Sequence, residues 1–441
     1  MRKLVAYFIA IVGPAAVITA GSMGAGSTSS LILAGAWFRY DLLWLAVLIL
    51  PLFVISVDSA ARIGLVNKDR GMFSLIRDHI HPGVAWLIIL IHVPVHVLVG
   101  MAHVSIMTSA SMALFGYYPA ETGMAGDAAN SYRIAQVVLS LGFAAAIIWL
   151  LAAEGYERMQ RVMTACMLLM FICFLIVALR GFQEIGAILA GFIPGVPADL
   201  PVPGQGITRD SGISMMAIIG SVLAPGALFG ISYLSADSQA GAADLNREFR
   251  KSVINFGVMY GGYSLFIIIA GGFALYPLAN HAEIDSVNEA SKILVRAFPE
   301  VVSFMGPVIF SLGMLVAAIT TYIVIVEVTS YACLDIMRLN WHYAGDNRTF
   351  KYTLVFFILA PAISAPFWEF PELAKNLLLM GVNTIVIPLA FFVLLFLLNN
   401  RAVMGEHVAS LKRNIVLATG LLLSLGLSVA NLPEVIQMFA S

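Results

Sequence analysis

The chain has 441 residues, 60% of them hydrophobic and only 11% charged, with a mean hydropathy of +0.93. That leaves too little polar surface to cover a water-soluble globule, so the composition calls for an integral membrane protein surrounded by lipid. The net charge of −1 is uninformative by itself, and no basic cluster points to nucleic acid as a partner.

A helix needs about 20 apolar residues to cross the hydrocarbon core. This criterion predicts an all-α membrane protein of eleven transmembrane helices, at 9–36, 42–65, 84–115, 133–153, 162–180, 212–237, 252–277, 302–334, 352–368, 373–398 and 414–431. Met1-Arg2-Lys3 has the charged start of a signal peptide, but the apolar stretch runs on to about Ala36 and reads as a retained first helix. Placing the N-terminus in the cytoplasm puts Arg62, Lys68, Arg70, Arg77, Arg158, Arg161, Arg247, Arg250, Lys251, Arg338, Arg348, Lys351, Arg401, Lys412 and Arg413 inside. This positive-inside bias, with an odd number of helices, leaves the C-terminus outside. Compact loops fit a multi-pass protein of a bacterial inner (plasma) membrane. The long outer connections, 116–133, 181–211 and 278–301, read as loops with a surface helix, so residues 1–441 form one transmembrane domain.

Two of the helices are interrupted. The first contains Gly24-Ala25-Gly26-Ser27-Thr28, the sixth Ala224-Pro225-Gly226-Ala227. Such breaks free backbone N–H and C=O groups, which lipid tolerates only where they line a protein cavity. Helices one to five (about 9–180) and six to ten (about 212–398) each begin with a broken helix. An odd number per unit makes the second enter from the opposite side, a 5+5 inverted repeat followed by helix eleven.

Titratable side chains are few. His92, His96 and His103 fall within about 40° of one another on helix three and are candidates for moving protons. Their bland role is as neutral side chains bonded to hydroxyls or freed carbonyls. Glu327 on helix eight and Asp58 on helix two are the buried acids. Asp58 lies one turn from Arg62 and is expected to pair with it, whereas Glu327 has no near basic neighbour and is the better proton-coupling candidate. Cys166, Cys173 and Cys333 have neither disulfide nor zinc spacing.

Several stretches resemble one family in the same order along nearly the whole chain. They are Gly35-Ala36-Trp37-Phe38-Arg39-Tyr40-Asp41 leading to Ser59-Ala60-Ala61-Arg62-Ile63-Gly64, then Gly191-Phe192-Ile193-Pro194, Asn246-Arg247-Glu248-Phe249, and Arg401-Ala402-Val403-Met404-Gly405-Glu406. They are similar to the Nramp divalent-metal transporters. The resemblance implies a LeuT-type fold with alternating access, coupling to H+ and no cofactor. It does not carry over the metal ligands. The family's Asp-Pro-Gly-Asn turn falls on Gly24-Ala25-Gly26-Ser27 and its Met-Pro-His turn on Ala224-Pro225-Gly226. Its helix-three acids fall on Gly100-Met101-Ala102-His103, and its helix-ten glutamine near Val386, with Asn383 the nearest polar replacement.

The expected substrate site is therefore Gly24, Ala25, Gly26, Ser27 and Thr28 facing Ala224, Pro225, Gly226, Ala227 and Asn383. Two substrate chemistries fit it. One is a divalent cation, magnesium or manganese in type, held with its waters by carbonyls and the Ser27–Ser30 hydroxyls. The other is a small carboxylate, of an organic anion or amino acid, on the N–H groups of the second half-helix. A continuous pore is excluded because the polar residues gather at the breaks, and an enzyme because no nucleophile–base pair or metal motif is present. A non-transporting receptor is the remaining alternative.

Overall fold

The computed structural model describes residues 14–117, 127–153, 155–278, 280–343, 346–368 and 370–440. Residues 9–13 of the expected first helix, and much of the 116–133 connection, lie outside the described residues.

Among the described residues ten helices are long and apolar enough to cross a membrane, and a bent pair makes an eleventh. The pair is α1a (Pro14–Ser22) and α1b (Ala25–Phe38), bent by 43°. There follow α2 (Leu43–Val66), α3 (Pro82–Leu114), α4 (Asp127–Ala153), α5 (Gly155–Gly181) and the sixth span, α6a (Ser211–Val222) with α6b (Pro225–Asp237). α7 runs through Leu245–Ser252, a π-helical Val253–Tyr260 and Gly261–Ala274. α8 (Met305–Ile336), α9 (Arg348–Ser364), α10 (Glu372–Asn399) and α11 (Leu411–Ala440) complete the set.

The packing repeats between the halves. α1b packs on α7 as α6b packs on α2, α6a lies on α10 as α1a lies on α5, and α3 crosses α8, its own counterpart. This is the inverted repeat, and it places both breaks face to face in the interior. The close approaches need residues without side chains. A Cβ on Gly35 would lie 2.4 Å from the Ile268 carbonyl on α7, and one on Gly64 only 1.9 Å from the Ser232 carbonyl on α6b.

The basic face of the bundle is tied by buried acids. Asp58, 1% exposed, accepts from Arg62 Nε at 2.7 Å, the pairing its spacing predicts, and also from Arg413 on α11 at 2.6 Å. Asp335 at the end of α8 takes the backbone N–H groups of Phe73 and Ser74, at 2.9 and 3.1 Å, and the Tyr233 hydroxyl of α6b at 2.6 Å. Asp237 does not join the arginines that follow α6b. It accepts from Tyr331, from the Tyr343 N–H and from His342 Nδ1, the last at 2.6 Å.

On the opposite face the 181–211 connection holds the helix Ile185–Ala190 and a short hairpin, β1 (Leu200–Pro201) antiparallel to β2 (Thr208–Arg209). The hairpin turns at Gly204 and Gly206, whose φ values of 74° and 67° suit glycine. The 278–301 connection carries the helix Val287–Ile293 and presents the Asp285 carbonyl to the N–H groups of Leu373 and Ala374, satisfying the start of α10.

Burial, and then the neighbouring Glu289, push the Asp285 carboxyl up to about 6 from 3.8, although Arg209 Nη2 stands 3.4 Å away. A carboxyl with a raised folded-state pKa binds more protons folded than unfolded, so this group favours unfolding when ionised. Its contribution to stability should rise as pH falls through about 6 toward 3.8. Asp285→Asn is expected to raise the melting temperature at pH 8 and flatten its pH dependence across that window. An unchanged melting profile would contradict the assignment.

Candidate functional site

The α1 break begins where Gly21 and Ser22 end one half-helix and Gly24, extended at φ −75° and ψ −173°, opens the next. Most of the freed carbonyls are satisfied locally. Ser27 Oγ donates to the Ser22 carbonyl at 2.7 Å, Thr28 Oγ1 lies 2.8 Å from that of Gly24, and Thr321 Oγ1 of α8 donates to that of Gly21 at 2.7 Å. The Ser/Thr run therefore closes the break. Thr28 is fully buried and also bonds the Tyr263 hydroxyl at 2.7 Å.

The α6 break follows from Pro225. Proline lacks the N–H that would bond the Ser221 carbonyl and pushes Ala224 into an extended backbone (φ −48°, ψ 124°), so the ladder stops at Val222 and resumes beyond.

Between the breaks lies a cavity of about 60 Å³. Of the expected substrate residues, Gly26, Ser27, Ala224, Gly226, Ala227 and Asn383 line it, whereas Gly24, Ala25, Thr28 and Pro225 do not. The remaining wall includes Ser22, His96, Ser221, Thr321 and Met380. Sequence reasoning passed over Ser22, Ser221, Thr321 and Met380 as hydroxyls and a thioether inside apolar runs. Met380 lies one turn before Asn383, and that spacing was the available signal.

Two glycines that stand where the family resemblance places larger residues, Gly24 and Gly226, have visible causes. A Cβ on Gly24, where the family resemblance places an aspartate, would lie 1.1 Å from Thr321 Oγ1, so α8 occupies the space of the missing carboxylate. A Cβ on Gly226, where it places a histidine, would lie 2.6 Å from His96 Nε2, so an imidazole from α3 stands at that position. A Cβ on Gly26 would lie 3.0 Å from Met380 Sδ.

The histidines form the one-sided stripe that their spacing predicts, and all three are buried. His92 and His96 face each other with ring centroids 3.7 Å apart, and His92 stands edge-on to Phe229 of α6b. His96 reaches the cavity. His103 Nδ1 bonds the Val99 carbonyl at 2.6 Å, and neither its Nε2 nor that of His92 has a hydrogen-bond partner.

Glu327 is 2% exposed with Oε2 unpartnered, but it does not line the cavity; Val324, Ile325 and Val328 do. Thr320 and Thr321, which precede it on α8, donate to the Ala317 and Gly21 carbonyls. Asp58 lies in the ion-pair cluster of the basic face, apart from both breaks. Among the described residues no group of three or more His, Cys, Asp or Glu side chains converges to hold a metal.

The profile of the natural resistance-associated macrophage protein-like family matches residues 15–434. The chain belongs to the Nramp family. Its fold is shared with the crystal structure of the Eremococcus coleocola manganese transporter bound to an aromatic bis-isothiourea substituted compound. That match has a TM-score of 0.75 and 17% identity over all of this chain and 90% of that one. MhsT in complex with L-phenylalanine is also similar, with a TM-score of 0.61 and 12% identity over 94% of this chain and 98% of that one. The eleven-helix, LeuT-type architecture expected from the resemblance is thus the one observed, and within this Nramp protein the unusual part is the lining of the cavity.

Proposed function

We propose that this Nramp protein is a secondary transporter that moves a divalent metal ion through the cavity between the α1 and α6 breaks by alternating access. The observation that carries this reading is the paired break itself. Two half-helix ends and a polar-edged cavity meet inside an apolar bundle whose halves repeat with inverted topology. Family membership favours the cation over the small carboxylate, and the manganese transporter named above supports a transition ion as cargo.

Gly26, Ser27, Ala224, Gly226, Ala227 and Asn383 border the substrate, while Gly24, Ala25, Thr28 and Pro225 set the backbone of the breaks. H+ is the coupling ion in this reading. His92, His96 and His103 carry it along α3, and Glu327 serves as a second acceptor on α8. Asp58 is assigned to structure. The chain acts as one transporter domain in the plasma membrane, with the basic face and N-terminus cytoplasmic and the C-terminus outside.

The test is uptake into proteoliposomes. Saturable accumulation of a divalent ion, accelerated by an inward proton gradient, is expected. Binding without accumulation would make the protein a receptor, and accumulation of a carboxylate in the absence of metal would replace the cation as cargo.

A further inference from the structure

The side chains that reach the cavity include an imidazole, a thioether and an amide, and among the described residues no carboxylate lines it. Their arrangement fixes which atoms are free. Thr329 Oγ1 donates its only proton to the Ile325 carbonyl at 2.7 Å, so its oxygen can only accept from His96 Nδ1, also at 2.7 Å. That bond places the ring proton on Nδ1 and leaves Nε2 with a bare lone pair beside Gly226, at the cavity wall. A metal-binding histidine is commonly oriented in this way, by a hydrogen bond on its other nitrogen.

Met380, which also lines the cavity, stands with its Sδ against Gly26. Asn383 Nδ2 lies 3.7 Å from that sulfur, and Asn383 Oδ1 accepts no hydrogen bond among the described residues. Ser22, also in the lining, has its Oγ buried without a partner. A lone pair on nitrogen, a sulfur and two unused oxygens thus border one small space.

We infer that this neutral nitrogen–sulfur–oxygen set selects a borderline-soft ion of the zinc, copper or cadmium type over manganese and magnesium. The inference rests on the transport reading above. Thioether and imidazole donors favour such ions, whereas magnesium and manganese suit carboxylate, carbonyl and water, and magnesium gives up its own water reluctantly. The ligand chemistry lost from the two breaks has been resupplied by α3 and α10, without the anion. His96 Nε2, whose lone pair takes H+ only when the cavity is empty, and Met380 Sδ are the ligands, Asn383 Oδ1 and Ser22 Oγ complete the set, and Thr329 is a positioning residue.

The experiment is thermal melting of the purified protein with Cd2+, Zn2+, Mn2+ or Mg2+, together with X-ray absorption at the cadmium edge. Cadmium and zinc should stabilise at concentrations where manganese and magnesium do not, and the cadmium shell should contain one sulfur. Met380→Leu should remove that sulfur and weaken cadmium binding, leaving the weak manganese response unchanged. Thr329→Val, of similar size, should weaken cadmium binding roughly tenfold or more by releasing the ring tautomer. Manganese or magnesium binding as well as cadmium, or a cadmium shell of oxygen and nitrogen alone, would overturn the inference and leave metal transport standing. Stabilisation by none of the four ions would instead overturn the transport reading, and this inference with it.

Discussion

Gly24→Ala is expected to abolish transport and destabilise the protein by on the order of 3 kcal/mol. The new methyl carbon would lie 1.1 Å from Thr321 Oγ1 and 2.7 Å from the Gly21 carbonyl, so α1b and α8 could not both keep their positions. Thr321 Oγ1 is also the donor that satisfies the Gly21 carbonyl, so displacing it leaves a freed backbone acceptor at the break. Gly24→Ala/Thr321→Ala should recover part of the stability, because the Oγ1 obstruction is gone while the Cβ at position 321, 2.5 Å away, and the Gly21 carbonyl, 2.7 Å away, remain close. Melting temperature and uptake report the two effects. A Gly24→Ala protein that melts and transports like the parent would show that α8 does not fill this position.

The second large effect is expected at Asp58. Its carboxylate is 1% exposed and held between Arg62 and Arg413, whose side chains are 18% and 11% exposed. Arg413 also donates to Ser59 Oγ at 2.7 Å, so this one acid fastens α11 to α2. Removing one partner of a buried ionic cluster leaves uncompensated charge, at a cost of roughly 3–5 kcal/mol. Asp58→Asn should therefore lower the melting temperature strongly, and Asp58→Asn/Arg413→Met should restore much of the loss by removing charge from both sides. A coupling role for Asp58 predicts the reverse, near-parental stability of Asp58→Asn with a lost pH dependence of uptake.

The architecture was legible because its signals are long. About 20 consecutive apolar residues are required at each crossing, and the predicted limits lie within a few residues of the observed helices for α2, α3, α6, α8 and α10. α11 was placed short, because its helix continues through the apolar 432–440 segment. The breaks were equally readable, since glycine clusters and Pro225 change backbone behaviour wherever they occur.

The lining of the cavity was not so readable, because it depends on what helices distant in sequence present at one point. Met380 in an apolar run looks like core filler until α10 is laid against Gly26. Thr321 is an ordinary hydroxyl until it is found in the volume that a side chain at position 24 would need. Lys375 was passed over for the same reason. It is 2% exposed on α10, donates to the Trp368 carbonyl at 2.5 Å, and borders a second cavity of about 290 Å³ with Ser105 and Glu372. The histidine stripe was visible from spacing alone, but the hydroxyl that bonds His96 Nδ1 belongs to Thr329, more than two hundred residues away in the chain.

The central claim is that substrate binds in the cavity between the two broken helices. Anomalous diffraction from crystals grown with cadmium tests it most directly. A peak is expected within the space bordered by Ser22, His96, Ser221, Met380 and Asn383. A well-occupied peak elsewhere in the membrane-spanning region, with this cavity empty, would contradict the account.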